Sequence, residues 1–145
     1  MIERRLRIAA AVLALAGLGV AGYLTWVHYA ELEPICAGGS GGCEKVQNSD
    51  YAELAGVPVA LLGLIGYGAI LVSLWLPGDL GRFAGAVMAL AGFGFSAWLT
   101  YVELFEIDAI CQWCVASAVI MTALAIVTSL RFAVPHPAGS ARPRS

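Results

Sequence analysis

Four apolar runs dominate this chain, over residues 6–29, 57–76, 83–104 and 111–132. A helix needs roughly 17–25 residues to cross the hydrocarbon core of a bilayer, and each run meets that length. Between and around them lies too little charge for a water-covered domain. Charged residues make up 12% of the chain and hydrophobic ones 60%, whereas soluble domains are about 25% charged. The same arithmetic excludes a disordered chain. With a net charge of −2 and no basic stripe, a nucleic-acid partner is excluded as well. The expected fold is an all-α integral membrane four-helix bundle. It forms one domain over residues 1–132, with a long extracytoplasmic loop between the first and second helices. The Pro-rich polar segment 133–145 reads as a disordered cytoplasmic tail. The first run is longer than the h-region of a signal peptide, so it is expected to stay in the mature protein.

Lys and Arg set the orientation. Arg4, Arg5 and Arg7 precede the first span, Arg82 lies between the second and third, and Arg131, Arg142 and Arg144 end or follow the fourth. Lys45 is the one basic residue on the other side. Both termini are therefore expected in the cytoplasm of a cell whose inner or plasma membrane holds the protein. The acids Glu31, Glu33, Glu103, Glu106 and Asp108 fall on the outer side and read as a solvated rim. Trp26, Trp98 and Trp113 read as interfacial anchors. The small-residue pairs Gly17/Ala21, Gly81/Gly85 and Gly92/Ser96 predict close helix packing.

All four cysteines fall on the extracytoplasmic side. Cys36 and Cys43 flank a glycine-rich stretch in the first outer loop, and Cys111-Gln-Trp-Cys114 stands where the second outer loop meets the fourth span. Disulfides form and persist outside the cytoplasm. Three chemistries fit: static disulfides in a structural bundle, a zinc site, and a thiol–disulfide relay. Zinc sites favour closer ligand spacing than Cys-x6-Cys. A purely structural staple gains little from glycines that resist ordering, whereas a relay uses a segment free to swing between partners. Cysteines at the start of a helix meet unpaired backbone N–H groups and a partial positive charge, which favour the thiolate, the attacking species in exchange. Position suggests that Cys111 exchanges with the loop and Cys114 with something in the membrane. No nucleotide fingerprint or paired haem ligands occur in the sequence. A diffusible quinone needs neither, only an apolar pocket near a thiol.

Taken together, Cys36, Cys43-Glu-Lys-Val46-Gln-Asn-Ser49, Gly56-Val57-Pro58, Gly63 and Cys111-Gln-Trp-Cys114 resemble the vitamin K epoxide reductase family, in its bacterial branch, over about residues 8–132. The order of the pairs carries weight. The unrelated disulfide-bond-forming protein B has its Cys-x-x-Cys in the first outer loop, whereas here that motif comes second. The resemblance implies a four-helix bundle around a quinone pocket, capped by the first outer loop. It makes Cys111 and Cys114 the active-site pair, Cys36 and Cys43 the shuttling pair, and Ser49 a serine near the redox centre, although Ser49 also suits a helix N-cap. It implies a quinone co-substrate, menaquinone or ubiquinone, with no metal, and makes Trp113, between the two active-site cysteines, a candidate for packing against that quinone. Electrons would come from a thioredoxin-like protein on the extracytoplasmic side, supporting disulfide formation in exported proteins. Relatives with a fused thioredoxin-like domain carry it after a fifth span, so the partner here is expected to be a separate protein. Animal members have a tyrosine that contacts the quinone four residues after the second active-site cysteine. Here that position is Ala118, which leaves the polar contacts to the quinone unassigned. The sequence identifies no acid or base to deliver protons.

Overall fold

A computed structural model describes residues 2–30, 53–54, 56–76, 78–107 and 112–134. Among them are four helices: α1 (Ile2–Ala30), α2 (Val59–Ser73), α3 (Gly78–Val102) and α4 (Gln112–Ala133). Each packs against two neighbours, α1 on α2 and α4, and α3 on α4 and α2. This closes a ring of four helices, the all-α membrane bundle expected. The tail beyond Val134 lies outside the described residues.

The helices run on past the apolar spans. At 1.5 Å per residue, the 29 residues of α1 extend about 43 Å, well beyond a hydrocarbon core about 30 Å thick. Hydropathy marks where lipid begins, not where the helix begins. For this reason α3 starts at Gly78, five residues before the predicted span. Gly78 takes a left-handed φ of 67° that few side chains tolerate. Asp79 stands in the first turn of α3, where negative charge suits the helix dipole. The last turn of α3 relaxes into a π-helical segment, Glu103–Ile107.

α2 departs most from its predicted span. It has 15 residues, fewer than the roughly 17 needed to cross alone. Residues 57–58 form a strand instead. Strands β1 (Glu53–Leu54) and β2 (Val57–Pro58) pair antiparallel, with Glu53 opposite Pro58 and Leu54 opposite Val57. Gly56, at φ 84°, turns the chain between them. Pro58 then serves as the N-cap of α2, a place where its missing N–H costs nothing.

Large apolar side chains cover much of the outer surface, among them Ile8, Val12 and Leu15 on α1, Leu90 and Phe93 on α3, and Val119, Ile126 and Leu130 on α4. In water this surface would be a liability, but in lipid it is a matched solvent. The interior is filled chiefly by small residues around a few large ones: Ala10, Ala14 and Ala89 beside Tyr67, Ile70 and Leu124. The predicted small-residue pairs do pack closely. A methyl group at Gly17 would lie 2.3 Å from the Tyr67 ring, one at Gly85 2.8 Å from Ser73 Oγ, and one at Gly92 2.8 Å from Met121 Sδ. At Gly81 the obstacle is backbone, the Leu76 carbonyl oxygen at 2.5 Å.

One end of the ring is tied by arginines. Arg82, in the second turn of α3, donates from Nε to the Arg131 carbonyl at 2.9 Å, and its Nη2 donates to the Arg131 and Val134 carbonyls. The first belongs to the last turn of α4 and the second to the residue just after it, where carbonyls lack partners within the helix. Arg131 in turn pairs with Glu3 on α1 at 2.5 Å. Both arginines are buried, while Arg4, Arg5 and Arg7 nearby are exposed.

Candidate active site in the helix bundle

Toward the other end the ring encloses a cavity of about 320 Å³, within the range of small-molecule sites. Helical spacing builds its walls. On α3, Gly92, Ser96 and Leu99 recur at intervals of four and three residues, and Glu103 continues the series. On α4 the series is Cys114, Ser117, Ala118 and Met121, and α2 contributes Gly63 and Tyr67. Residues three and four apart share a helix face. From α1 come Val20, Ala21 and Leu24, all without polar side chains.

Cys114 is the third residue of α4. This is the predicted position one turn inside the helix, and it forms part of the cavity wall. Ala118, one turn further on, lines the cavity as well. That position presents only a methyl group to the cavity.

A phenol reaches the cavity from another helix. Tyr67 on α2 is fully buried, and its hydroxyl donates to the Ser117 carbonyl oxygen at 2.9 Å. Ser117 Oγ lies 2.8 Å from the same phenol oxygen. With the phenol proton committed to the carbonyl, the serine hydroxyl is left to donate to the phenol. The pair links α2 to α4 three residues after Cys114. Sequence reasoning passed over Tyr67. The signal was a lone phenol in the middle of an apolar span, which must find a partner in lipid. The hydroxyls of Thr100 and Thr122 bond to carbonyls four residues back in their own helices, at 2.9 and 2.8 Å.

Glu103 corrects the sequence reading. Grouped there with a solvated acidic rim, it is only 5% exposed and lines the cavity together with Cys114. Its spacing from Gly92, Ser96 and Leu99 continues the inner face of α3 into the first residue of the π-helical segment. That periodicity was available in the sequence. Glu106, by contrast, is exposed, as a rim residue should be. Glu31, Glu33 and Asp108 lie outside the described residues.

Trp26 and Trp98 are exposed on the outer surface, in keeping with an interfacial role. Trp113 packs on Tyr23 of α1 with ring centroids 4.9 Å apart, and the cavity lining does not include it. Cys36, Cys43, Ser49 and Cys111 lie outside the described residues.

Comparison with known proteins bears on what this cavity serves. Residues 8–129 match the model of the vitamin K epoxide reductase family. The chain belongs to that family. It is also similar to a protein of Arabidopsis thaliana named thiol-disulfide oxidoreductase LTO1, with 32% identity over 107 residues. The similarity covers 66% of this chain but only 28% of the Arabidopsis protein, so the chain matches a minor part of that relative. For a family member, a cysteine in the wall of an apolar cavity within a helix ring is a suitable arrangement for thiol chemistry on a lipid-soluble molecule. The lining fits such a molecule: apolar walls, with Tyr67, Ser117, Ser96, Thr100 and Glu103 as the few polar groups.

Proposed function

We propose that this protein is a membrane thiol–disulfide oxidoreductase. In this reading it takes electrons from a reduced thioredoxin-like protein on the extracytoplasmic side and delivers them to a membrane quinone, supporting disulfide formation in exported proteins. The observation that carries the reading is Cys114 in the wall of an apolar cavity within a lipid-facing helix ring. Family membership and the relative's name support thiol chemistry.

The steps take each cysteine's role from its position together with the family resemblance. The partner's thiolate attacks the Cys36–Cys43 disulfide at Cys36, and Cys43 leaves as thiolate. Cys43 attacks Cys111 of the Cys111–Cys114 disulfide, which frees Cys114. The partner's second thiolate releases Cys36 and leaves the partner oxidised, and Cys36 then attacks Cys43 of the Cys43–Cys111 mixed disulfide, which re-forms Cys36–Cys43 and frees Cys111. A quinone would accept two electrons and two protons from the Cys111/Cys114 dithiol, which returns to the disulfide. The chain's own contribution is to bind and orient. Tyr67 and Ser117 tie α2 to α4 beside Cys114, and the apolar residues of α1 and α2 exclude water from Cys114. Exclusion of water protects the thiolate from competing reactions. Ser49 is the further residue that this reading sets near the redox centre.

Orientation belongs to the same proposal. Glu3, Arg82 and Arg131 meet at one end of the ring, with Arg4, Arg5 and Arg7 beside them. The positive-inside bias then makes this the cytoplasmic end and turns Cys114 outward.

The test is anaerobic quinone reduction by the purified protein, assayed with menaquinone and ubiquinone analogues. It is driven either by dithiothreitol or by a reduced thioredoxin-like protein. Turnover with at least one quinone is expected. The Cys36→Ala variant is expected to lose protein-driven turnover far more than dithiothreitol-driven turnover. No reduction of any quinone, with both cysteine pairs resisting mild dithiothreitol, would leave a structural bundle with static disulfides.

A further inference from the structure

A quinone presents carbonyl oxygens, and an apolar cavity that holds it in one pose needs a hydrogen-bond donor for at least one of them. We propose that the Ser96 hydroxyl is that donor, holding a quinone carbonyl oxygen about one helical turn inward of Cys114. The inference rests on the oxidoreductase reading above and adds to it the polar contact that the family resemblance leaves unassigned.

The first ground is a comparison of hydroxyls. Among the described residues, Tyr67, Ser96, Thr100 and Ser117 bring hydroxyls to the cavity lining. Tyr67 and Ser117 bond to each other, and the phenol also reaches the Ser117 carbonyl. Thr100 Oγ1 donates to the Ser96 carbonyl oxygen at 2.9 Å. Elsewhere in the bundle Thr25, Ser73, Thr122 and Thr128 bond to carbonyls of their own helices, the usual recourse of a hydroxyl on a helix. Ser96 departs from this rule. Its Oγ has no hydrogen-bond partner among the described residues. A hydroxyl held in apolar surroundings without a partner costs free energy, and a ligand carbonyl in the cavity recovers it. Close helix packing accounts for a small residue at this position, but not for a hydroxyl that bonds to nothing in the bundle.

Register is the second ground. Arg82 on α3 bonds the Arg131 carbonyl of α4. A methyl group at Gly85 would meet Thr128 Cγ2 at 3.9 Å, and one at Gly92 would meet Met121 Sδ at 2.8 Å. Each step along α3 is thus matched by an equal step back along α4, as in an antiparallel pair. The same match, carried outward, sets Ser96 level with Ser117 and Leu99 level with Cys114. Ser96 therefore lies three residues inward of the Cys114 level, about 4.5 Å at the helical rise. That offset is comparable to the reach across a quinone ring. A carbonyl oxygen held at Ser96 leaves the rest of the ring beside the thiol, within the one cavity that both residues line.

The contact also serves the chemistry. As the ring takes up electrons from the dithiol, negative charge builds on its oxygens. A hydrogen bond to a charged acceptor is stronger than one to a neutral carbonyl, so the Ser96 bond favours the ring as it is reduced and not only as it binds. Ser96 keeps its proton throughout. Both protons of the quinol are those of the Cys111/Cys114 dithiol.

The experiment uses the full-length protein in lipid nanodiscs, driven by dithiothreitol, with a short-chain menaquinone analogue isotopically labelled at its carbonyl carbons. Wild type is compared with Ser96→Ala, which keeps the packing and removes the hydroxyl, and with Ser96→Thr, which keeps the hydroxyl. In Ser96→Ala kcat/KM is expected to fall about 10-fold, the scale of one such hydrogen bond, with the unfolding midpoint unchanged. Ser96→Thr is expected to recover part of that loss. In infrared spectra of the bound analogue, one labelled carbonyl band is expected below its position in protein-free lipid, and Ser96→Ala is expected to return it there. If Ser96→Ala leaves both kcat/KM and the band at their wild-type values, the inference is overturned and the oxidoreductase reading stands. A slower variant whose band does not move overturns it equally, because Ser96 would then only shape the cavity. If the analogue binds with a Ser96-dependent band but is not reduced, the contact stands and the oxidoreductase reading falls. If the analogue does not bind, both fall.

Discussion

At one end of the bundle, Arg82 and Arg131 tie the last turn of α4 to α3 and to α1, and glycines let the backbones close up. At the other end, Cys114, Thr100 and Glu103 surround open space. The first end gives its buried arginines partners from other helices. The second leaves a cavity between helices where packing would otherwise be worth more. A void forfeits dispersion contacts, so an open end needs support elsewhere in the same ring. The short α2 fits this division. Its 15 residues pack their later part against Gly17 and Gly85 through Tyr67 and Ser73, while their start forms part of the cavity wall. The contrast teaches that stability and chemistry are assigned to opposite ends of the same four helices. Variants at the two ends should therefore fail in different ways.

The largest effect is expected at the open end. Cys114→Ala removes the thiol bordering the cavity, and dithiothreitol-driven quinone reduction should fall to the background rate. The unfolding midpoint in detergent should barely move. A comparable loss of both would mean that the two ends are not separable.

At the closed end the expected pattern is reversed. Arg131→Met leaves Glu3 without its partner in a setting where the arginine side chain is 6% exposed and the glutamate 24%. Breaking a buried pair costs about 3–5 kcal/mol. Because Glu3 retains some access to solvent, a loss of about 2–3 kcal/mol is expected on the same basis, read as a lower unfolding midpoint. The kcat of the molecules that remain folded should be unchanged.

How much of this contrast could be read in advance depends on what each signal measures. Hydropathy counts give the number of helices and their lipid-facing character, because lipid contact depends on composition alone. The spacing of Gly17, Gly81, Gly85 and Gly92 foretells close approach, and the Cys-x-x-Cys motif places Cys114 one turn into α4. Helix ends are less legible. Arg82 looks like a loop residue until the carbonyls of α4 are brought beside it by chain folding, a contact across 49 residues. Tyr67 and Glu103 were missed for a related reason. A polar residue in or beside an apolar span has two explanations, outward to solvent or inward to a site, and composition does not separate them. For Glu103 the four- and three-residue steps from Gly92 through Ser96 and Leu99 do separate them. Those steps set it on the face that the small residues had already marked as internal.

A smaller effect is expected from Gly81→Ala. The added methyl group would sit 2.5 Å from the Leu76 carbonyl oxygen and 2.7 Å from that of Ser73. These are backbone atoms, which cannot swing aside as a side chain can. Overpacking of this kind costs about 1–3 kcal/mol. Thermal unfolding followed by circular dichroism measures it. Gly19→Ala, where nothing lies within 4 Å of the added group, serves as the control and should be neutral.

The smallest effect tests the seam between the two ends. Tyr67 spans it: its ring fills the space left by Gly17, while its hydroxyl closes a bond to Ser117 beside the cavity. Tyr67→Phe keeps the ring and removes the bond. The Ser117 carbonyl keeps its helical position, and the serine hydroxyl loses its cross-helix acceptor. The net cost of such a bond is about 0.5–1.5 kcal/mol, visible as a modest drop in unfolding midpoint. If the phenol also orients the molecule that occupies the cavity, KM for the quinone analogue should rise a few-fold while kcat holds. If the midpoint falls and KM stays put, Tyr67 belongs wholly to the packed end, and the polar contacts of the cavity fall to Ser96, Thr100 and Glu103.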